Sequence, residues 1–320
     1  MFTRDDLEEA RRKIHAAFPG TPQYRWPLLA QRAGTEVWVK HENHTPTGAF
    51  KVRGGLIYLE RLAREALAPN GIISATRGNH GQSLAFAGAR FGVPVTILVP
   101  HGNSQEKNAA MRAFGARLIE HGEDFDAARM EAMRIAERDN LFFAPSFHRD
   151  LVLGVSTWAL ELFEAAPGLD VLYVPIGLGS GICGAIMARD LLGLSTEIVG
   201  VQSEAAPSYA LSFKAGHVVE TNSADTRADG LATRIPDAEA LAIIRKGAAR
   251  IVTVSDEEIA DAVRAYWTDT HNLAEGAAAA PLAALLKEGA RMKGRTVGLP
   301  LNGGNIDLEL FRKWILDGAT

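Results

Sequence analysis

From residue 71 onward the chain alternates short, continuously apolar runs with longer amphipathic ones, and this alternation restricts the fold more than any other feature. Gly71-Ile72-Ile73-Ser74 reads as a buried strand, Gly81 to Phe91 as a helix and Val95 to Val99 as a strand. Ser104 to Phe114 predicts a helix, Arg117 to Glu120 a strand and Phe125 to Arg138 a helix. A second series follows a break at Pro145-Ser146. It begins with the strand Val171-Leu172-Tyr173-Val174-Pro175, continues through a helix opened by the glycines from Gly177, and reaches a strand over Glu197 to Val201. A helix near Tyr209 to Lys214, a strand over Arg250 to Val254 and a helix from Asp256 to Trp267 come next. A helix after Pro281, the strand Thr296 to Leu301 and a helix after Ile306 close the series. Strands with no polar alternation are buried on both faces, so the expected class is α/β, with mainly parallel twisted sheets covered by helices.

Two domains suit 320 residues, at roughly 150 residues each. Ahead of the regular pattern, Thr3 and Asp6 form a capping-box pair, Leu7, Ala10, Ile14 and Phe18 continue a helical stripe, and Trp38-Val39-Lys40 is strand-like. Apolar residues make up 47% of the chain, enough buried surface to exclude disorder as the main state. A net charge of −4 with no basic block excludes a nucleic-acid footprint. Cys183 is the sole cysteine, so no intrachain disulfide and no thiolate zinc site can form, which fits a reducing compartment. No run approaches the roughly 20 apolar residues of a membrane span, and the charged N-terminus is unlike an export signal. The expected setting is the cytoplasm.

In sheets of this kind ligands bind beyond the carboxyl ends of the strands. One such place is Ile176-Gly177-Leu178-Gly179-Ser180-Gly181-Ile182-Cys183-Gly184, between a strand and a helix. Glycines let backbone N–H groups close around a phosphate, and the helix N-terminus favours the anion. Gly179-x-Gly181-x-x-Gly184 also matches the dinucleotide fingerprint, with Glu204 about where a ribose-binding acid falls, so a nicotinamide-dependent oxidoreductase is one alternative. A purely structural tight turn is another. The alternate spacing of Gly177, Gly179 and Gly181 favours a cup around a single phosphate.

Two more loops follow strands. One is Thr47-Gly48-Ala49-Phe50-Lys51-Val52-Arg53-Gly54, the other Thr76-Arg77-Gly78-Asn79-His80-Gly81-Gln82. With the glycine loop, in this order, the chain resembles the fold type II (tryptophan synthase β-like) pyridoxal-phosphate enzymes, in their serine/threonine dehydratase and serine racemase branch. The resemblance covers nearly the whole chain. It implies a large cofactor-binding domain of residues 1–53 plus 147–320, a small domain of residues 54–146, an active site in the cleft between them, and a homodimer. Lys51 matches the Schiff-base lysine and catalytic base, and Phe50 the residue beside the cofactor ring. Asn79 matches the partner of the ring hydroxyl, and Thr76, Arg77, Gly78, Asn79 and His80 the loop that holds the substrate carboxylate, largely through backbone N–H groups. Gly177, Leu178, Gly179, Ser180 and Gly181 match the phosphate cradle. Gly230, Glu275 and Asn302 match further cofactor contacts, the last at the pyridine nitrogen.

The implied reaction is β-elimination of a 3-hydroxy amino acid of the threonine or serine type, giving a 2-oxo acid and ammonia. Three positions depart from the family pattern. Asn302 stands where Ser, Thr or Cys is usual, though an amide still donates to an unprotonated ring nitrogen. Arg77 stands where racemases carry an acid–base serine; arginine stays protonated, which disfavours racemisation and keeps 3-hydroxyaspartate and phenylserine open as substrates. Gln202 and Ser208 replace two carboxylates that bind a divalent cation in some relatives, so no metal site is expected, with Glu204 nearby as the reservation. A catalytically silent pyridoxal-phosphate-binding protein is the remaining alternative. With few residues after the Asn302 motif, no C-terminal regulatory domain is expected.

Overall fold

A computed structural model describes residues 1–319 and contains two separate sheets. The strands are β1 (Gln23–Arg25), β2 (Glu36–His41), β3 (Ile72–Ala75), β4 (Val95–Val99), β5 (Arg117–Glu120), β6 (Phe142–Phe143), β7 (Val171–Pro175), β8 (Glu197–Ser203), β9 (Ala248–Val254) and β10 (Thr296–Leu301). Six of them run in the order β1-β2-β10-β7-β8-β9, and the other four in the order β5-β4-β3-β6. Every pairing is parallel except that of the short edge strand β1 with β2. β3 and β7 are buried along their whole length, as strands covered on both faces must be.

Several expected elements fall on the expected residues. Val95–Val99, Val171–Pro175 and Thr296–Leu301 match in full, and Thr3 forms the reciprocal cap with Asp6. Three expectations need correction. The helix expected after Pro281 starts earlier and runs Gly276–Lys287, with Pro281 inside it. The alanines at 277–280 are the strongest helix formers and carry the helix into the proline. The first helix stops at His15, short of Phe18, although Phe18 is still buried. The segment after Ile306 is three residues of α-helix followed by a wider π-helical stretch, Phe311–Leu316.

Two long helices have no counterpart in the sequence reading, Lys51–Arg64 and Arg149–Ala165. Their glycines look like helix breakers, yet they are what lets the two helices meet. A β-carbon at Gly54 would lie 2.8 Å from the Leu151 carbonyl oxygen, and one at Gly154 would lie 2.2 Å from that of Arg53. The first helix therefore seats its backbone directly on the second. A β-carbon at Gly184, in the helix Ser180–Leu191, would come 3.1 Å from the Ser156 nitrogen, so the third helix joins the same stack.

Beneath this stack lies a buried ion network. Arg53 bonds Glu42 through Nε (2.7 Å) and Glu161 through Nη1 (2.7 Å), and Lys40 donates to Glu161 (2.5 Å). Arg53, Lys40 and Glu42 are fully buried, so each charge relies on its partners. Among the described residues no helix is long and apolar enough to cross a membrane.

Candidate active site

The site is assembled where the strand ends of both sheets approach one another. Lys51 begins its helix directly after a loop zipped to the segment following β10. The Phe50 N–H donates to the Asn302 carbonyl (2.9 Å), Gly304 N–H to the Gly48 carbonyl (3.0 Å), and Ala49 bridges Gly303. Asn302 and Lys51 are thereby held together by backbone. The Lys51 amine donates to Ser180 Oγ at 2.9 Å, and Ser83 Oγ donates to the Lys51 carbonyl at 2.6 Å. Burial lowers the pKa of Lys51 to about 8, with the Glu275 carboxylate acting in the opposite direction. Desolvation disfavours the ammonium, so this lysine is easier to deprotonate than an exposed one.

The glycine loop faces that amine. Gly179 has φ +101°, a left-handed conformation that a side chain would strain, and caps the helix Ser180–Leu191. A β-carbon at Gly177 would lie 2.4 Å from the Gly230 carbonyl oxygen, and one at Gly181 would lie 3.4 Å from the Phe50 ring. Phe50 thus lies against the loop, with the Lys51 amine 5.0 Å from its ring centre. Tyr209 donates to the Leu178 carbonyl at 2.9 Å and fixes the loop from behind. Cys183 is buried in the same helix, and burial pushes its thiol well above the ordinary range, which makes it packing material here.

Across the cleft, β3 ends in the loop from Thr76 to His80. Thr76 Oγ1 accepts from the Gly78 N–H (3.2 Å), and the helix Asn79–Phe91 begins there with its first N–H groups facing outward from the turn. The Asn79 amide donates to both oxygens of Glu275, at 2.8 and 3.1 Å, and its oxygen accepts from Asn305 (2.8 Å). Burial raises the Glu275 pKa to about 7, against the pull of Lys107. Arg77 points its side chain to solvent. His80 is buried and shares a pocket with Lys51, Ser146 and Ser180.

The structure therefore brings Phe50, Lys51, Ser180, Gly181 and Asn302 together, sets Gly230 against Gly177, and joins Asn79 to Glu275. Several participants were not legible in the sequence. Lys107, from the helix Gln105–Ala113, pairs with Asp229 beside Gly230 and passes its stem under Gly78. Ser83 carries no motif of its own, and only the fold makes it a neighbour of the site; Asn305, in the run after the last strand that carries Asn302, is brought onto Asn79. At the expected cation positions, Gln202 Oε1 accepts from the Ala210 N–H (2.8 Å) and Ser208 donates to the Thr233 carbonyl (2.7 Å). Glu204 pairs with Lys287 at 3.0 Å, which also removes it as an open ribose-binding acid. Among the described residues, no three His, Cys, Asp or Glu side chains are grouped to hold a metal ion.

A half-buried, easily deprotonated lysine beside a glycine cradle at a strand-to-helix junction defines the class: an enzyme that works through a carbonyl cofactor carrying a phosphate. Comparison with known proteins gives the family. Residues 14–303 match the model described as pyridoxal-phosphate dependent enzyme, and the chain belongs to that family. The L-threonine ammonia-lyase of Thermotoga maritima is 33% identical, aligned over 100% of this chain and 80% of its own length. The L-threo-3-hydroxyaspartate ammonia-lyase of Saccharomyces cerevisiae is 31% identical over 99% of this chain and 98% of its own. Threonine deaminase isoform 2 from Solanum lycopersicum superposes with a TM-score of 0.88 at 27% identity, covering 99% of this chain and 94% of that one. The nicotinamide reading of the Gly179 fingerprint is set aside by this membership.

Proposed function

We propose that the protein eliminates water from a 3-hydroxy amino acid of the threonine or serine type and releases a 2-oxo acid and ammonia. The observation that carries this reading is the Lys51 amine, half-buried, 2.9 Å from Ser180 Oγ and facing the glycine loop. The residues present fit pyridoxal phosphate. Lys51 supplies the amine, the glycines at 177, 179 and 181 let the loop close against Gly230, Ala240 and Phe50 as a side-chain-bearing loop could not, and Asn302 has a buried side-chain oxygen without a partner. An amide turned about its last bond offers a donor at that place as readily as an acceptor. The names of the relatives support the reaction class.

Lys51 would hold the cofactor covalently, Gly177 to Gly181 would bind its phosphate through backbone N–H groups, Phe50 and Gly230 would border the ring, and Asn79, with Glu275 behind it, would face its hydroxyl. When bound, pyridoxal phosphate supplies an electron sink for the pair left at Cα. The loop Thr76–His80 and the helix N-terminus at Asn79 orient the substrate carboxylate. Lys51, released by the substrate amine, takes the Cα proton at Nζ, and its lowered pKa keeps a useful neutral fraction near pH 8. Net, the proton taken from Cα and the hydroxyl lost from Cβ would leave together as water, and hydrolysis of the freed enamine would give the 2-oxo acid and ammonium.

A second reading, specialisation for 3-hydroxyaspartate, is favoured by Arg77, an exposed cation within the substrate loop. The same guanidinium lying over the ring of phenylserine is the variant of that reading. Assaying 2-oxo acid from L-threonine, L-serine, phenylserine and 3-hydroxyaspartate decides among them. A yellow protein inert toward all four would leave only a silent binder of the cofactor.

We further infer that residues 54–146 act as a small domain against residues 1–53 plus 147–320, that the molecule is a homodimer, and that it works in the cytoplasm. Leu28 and Trp267, on helices joined by the Arg32–Asp269 pair, are 55% and 52% exposed, which supports a covered face. Sedimentation of the purified protein as a single-chain species would refute the dimer.

A further inference from the structure

Two titratable side chains line the pocket shared with Ser146 and Ser180, Lys51 and His80, and the chemistry above gives the His80 ring no duty. The ring is 9% exposed. Its Nε2 is buried without any hydrogen-bond partner. Buried polar atoms are nearly always satisfied, so an orphan beside a reactive lysine points to a group that arrives during the reaction. A neutral imidazole with its proton on Nδ1 leaves Nε2 as a bare lone pair. Burial foremost, and the Lys51 charge second, hold the ring pKa at about 3, so it stays neutral at any working pH. A lone pair repels a carboxylate and receives an N–H donor. The donor at hand is Lys51 once it is protonated.

We propose that His80 Nε2 accepts a hydrogen bond from Lys51 Nζ while that amine carries the proton taken from the substrate, and so orients the ammonium in the cleft. The proton moves from Cα to Nζ and the Cα electron pair passes to the cofactor; His80 gains no proton. This rests on the reading of Lys51 as the base. Glu275 is the other charged group acting on Lys51, and it too favours the ammonium.

The test is the pH dependence with which resolved protein captures pyridoxal phosphate, followed by absorbance for wild type, His80→Gln and His80→Phe. Only the neutral amine attacks the aldehyde carbon, with water leaving, so the midpoint reports the Lys51 pKa. His80→Phe is expected to move the midpoint down by about one pH unit, because a hydrogen bond to the ammonium is lost. His80→Gln, whose oxygen accepts, is expected to restore most of it. In reconstituted His80→Phe, kcat falls about tenfold with KM within about twofold. An unmoved midpoint overturns the proposal, as does a raised KM with unchanged kcat, which would make His80 a holder of the carboxylate. Nitrogen NMR of the wild type gives an answer independent of any variant's folding: a bare Nε2 is expected, and an Nε2–H tautomer overturns the proposal. If no linkage to Lys51 forms in wild type at any pH, the reading of Lys51 as the cofactor lysine fails, and this proposal falls with it.

Discussion

Asn79 and Glu275 come from opposite sides of the cleft, 196 residues apart in sequence, and the amide of the first donates to both carboxylate oxygens of the second at 2.8 and 3.1 Å. Holding an amide on a carboxyl group that burial has raised to about pKa 7 ties the stability of the site to pH. A carboxyl whose pKa is higher folded than unfolded contributes stability below its unfolded value near 4.5, and that contribution is lost as pH rises through 7. Glu275→Gln removes the titration. Denaturant melts should therefore show the variant gaining on wild type between about pH 4.5 and pH 7, with a constant difference above that.

Lys51→Met keeps the aliphatic stem and discards the amine. Turnover and the cofactor's visible band should vanish together, and retained turnover would remove Lys51 from the mechanism. The cofactor-free variant should also be more stable than cofactor-free wild type at pH 7, by on the order of 2 kcal/mol, because a half-buried ammonium is relieved. The gap closes as pH climbs from about 8 toward 10.5, where the wild-type amine is neutral in both states.

Gly154→Ala sets a β-carbon 2.2 Å from the Arg53 carbonyl oxygen, an approach that only backbone movement relieves. Chemical denaturation should show a loss of about 3 kcal/mol. Gly289→Ala, with nothing within 4 Å of the new carbon, is the control and should be neutral or slightly stabilising.

Arg53→Met leaves Glu161 with Lys40 and His15, and leaves the buried Glu42 carboxylate with only the Thr21 hydroxyl as a direct partner. The expected cost is about 3–5 kcal/mol, read from denaturant midpoints. Arg53→Lys should recover part of it, since an ammonium restores the charge without the two-sided fork.

Exhaustive chelation should leave the rate within about twofold, because the side chains at the candidate cation position already have protein partners. Reversible inactivation by chelator, restored by one divalent ion, would contradict this.

The strands and the loops after them were legible because continuous apolar runs and clustered glycines are local signals. The glycines at 177–181 were found that way, whereas Lys51 and Asn79 came from the resemblance of their loops to the family's motifs. The helices Lys51–Arg64 and Arg149–Ala165 were not, because Gly54 and Gly154 weaken a helix viewed alone and strengthen it only against its partner. Lys107 escaped for a different reason. A lysine on a helix next to polar neighbours reads as solvated, and only the tertiary fold buries it against Asp229. The Arg53 network is hidden in the same manner, with members drawn from three separated segments.

The stacked helices have one last implication. The base at 51 and the loop at 177 ride on helices locked through Gly54, Gly154 and Gly184, while the Thr76 turn rides on the other sheet. Through Gly55 the same Lys51 helix is also seated on Ser83 of the helix Asn79–Phe91, so the lysine is anchored to both sheets at once and cannot drift from either wall of the cleft alone.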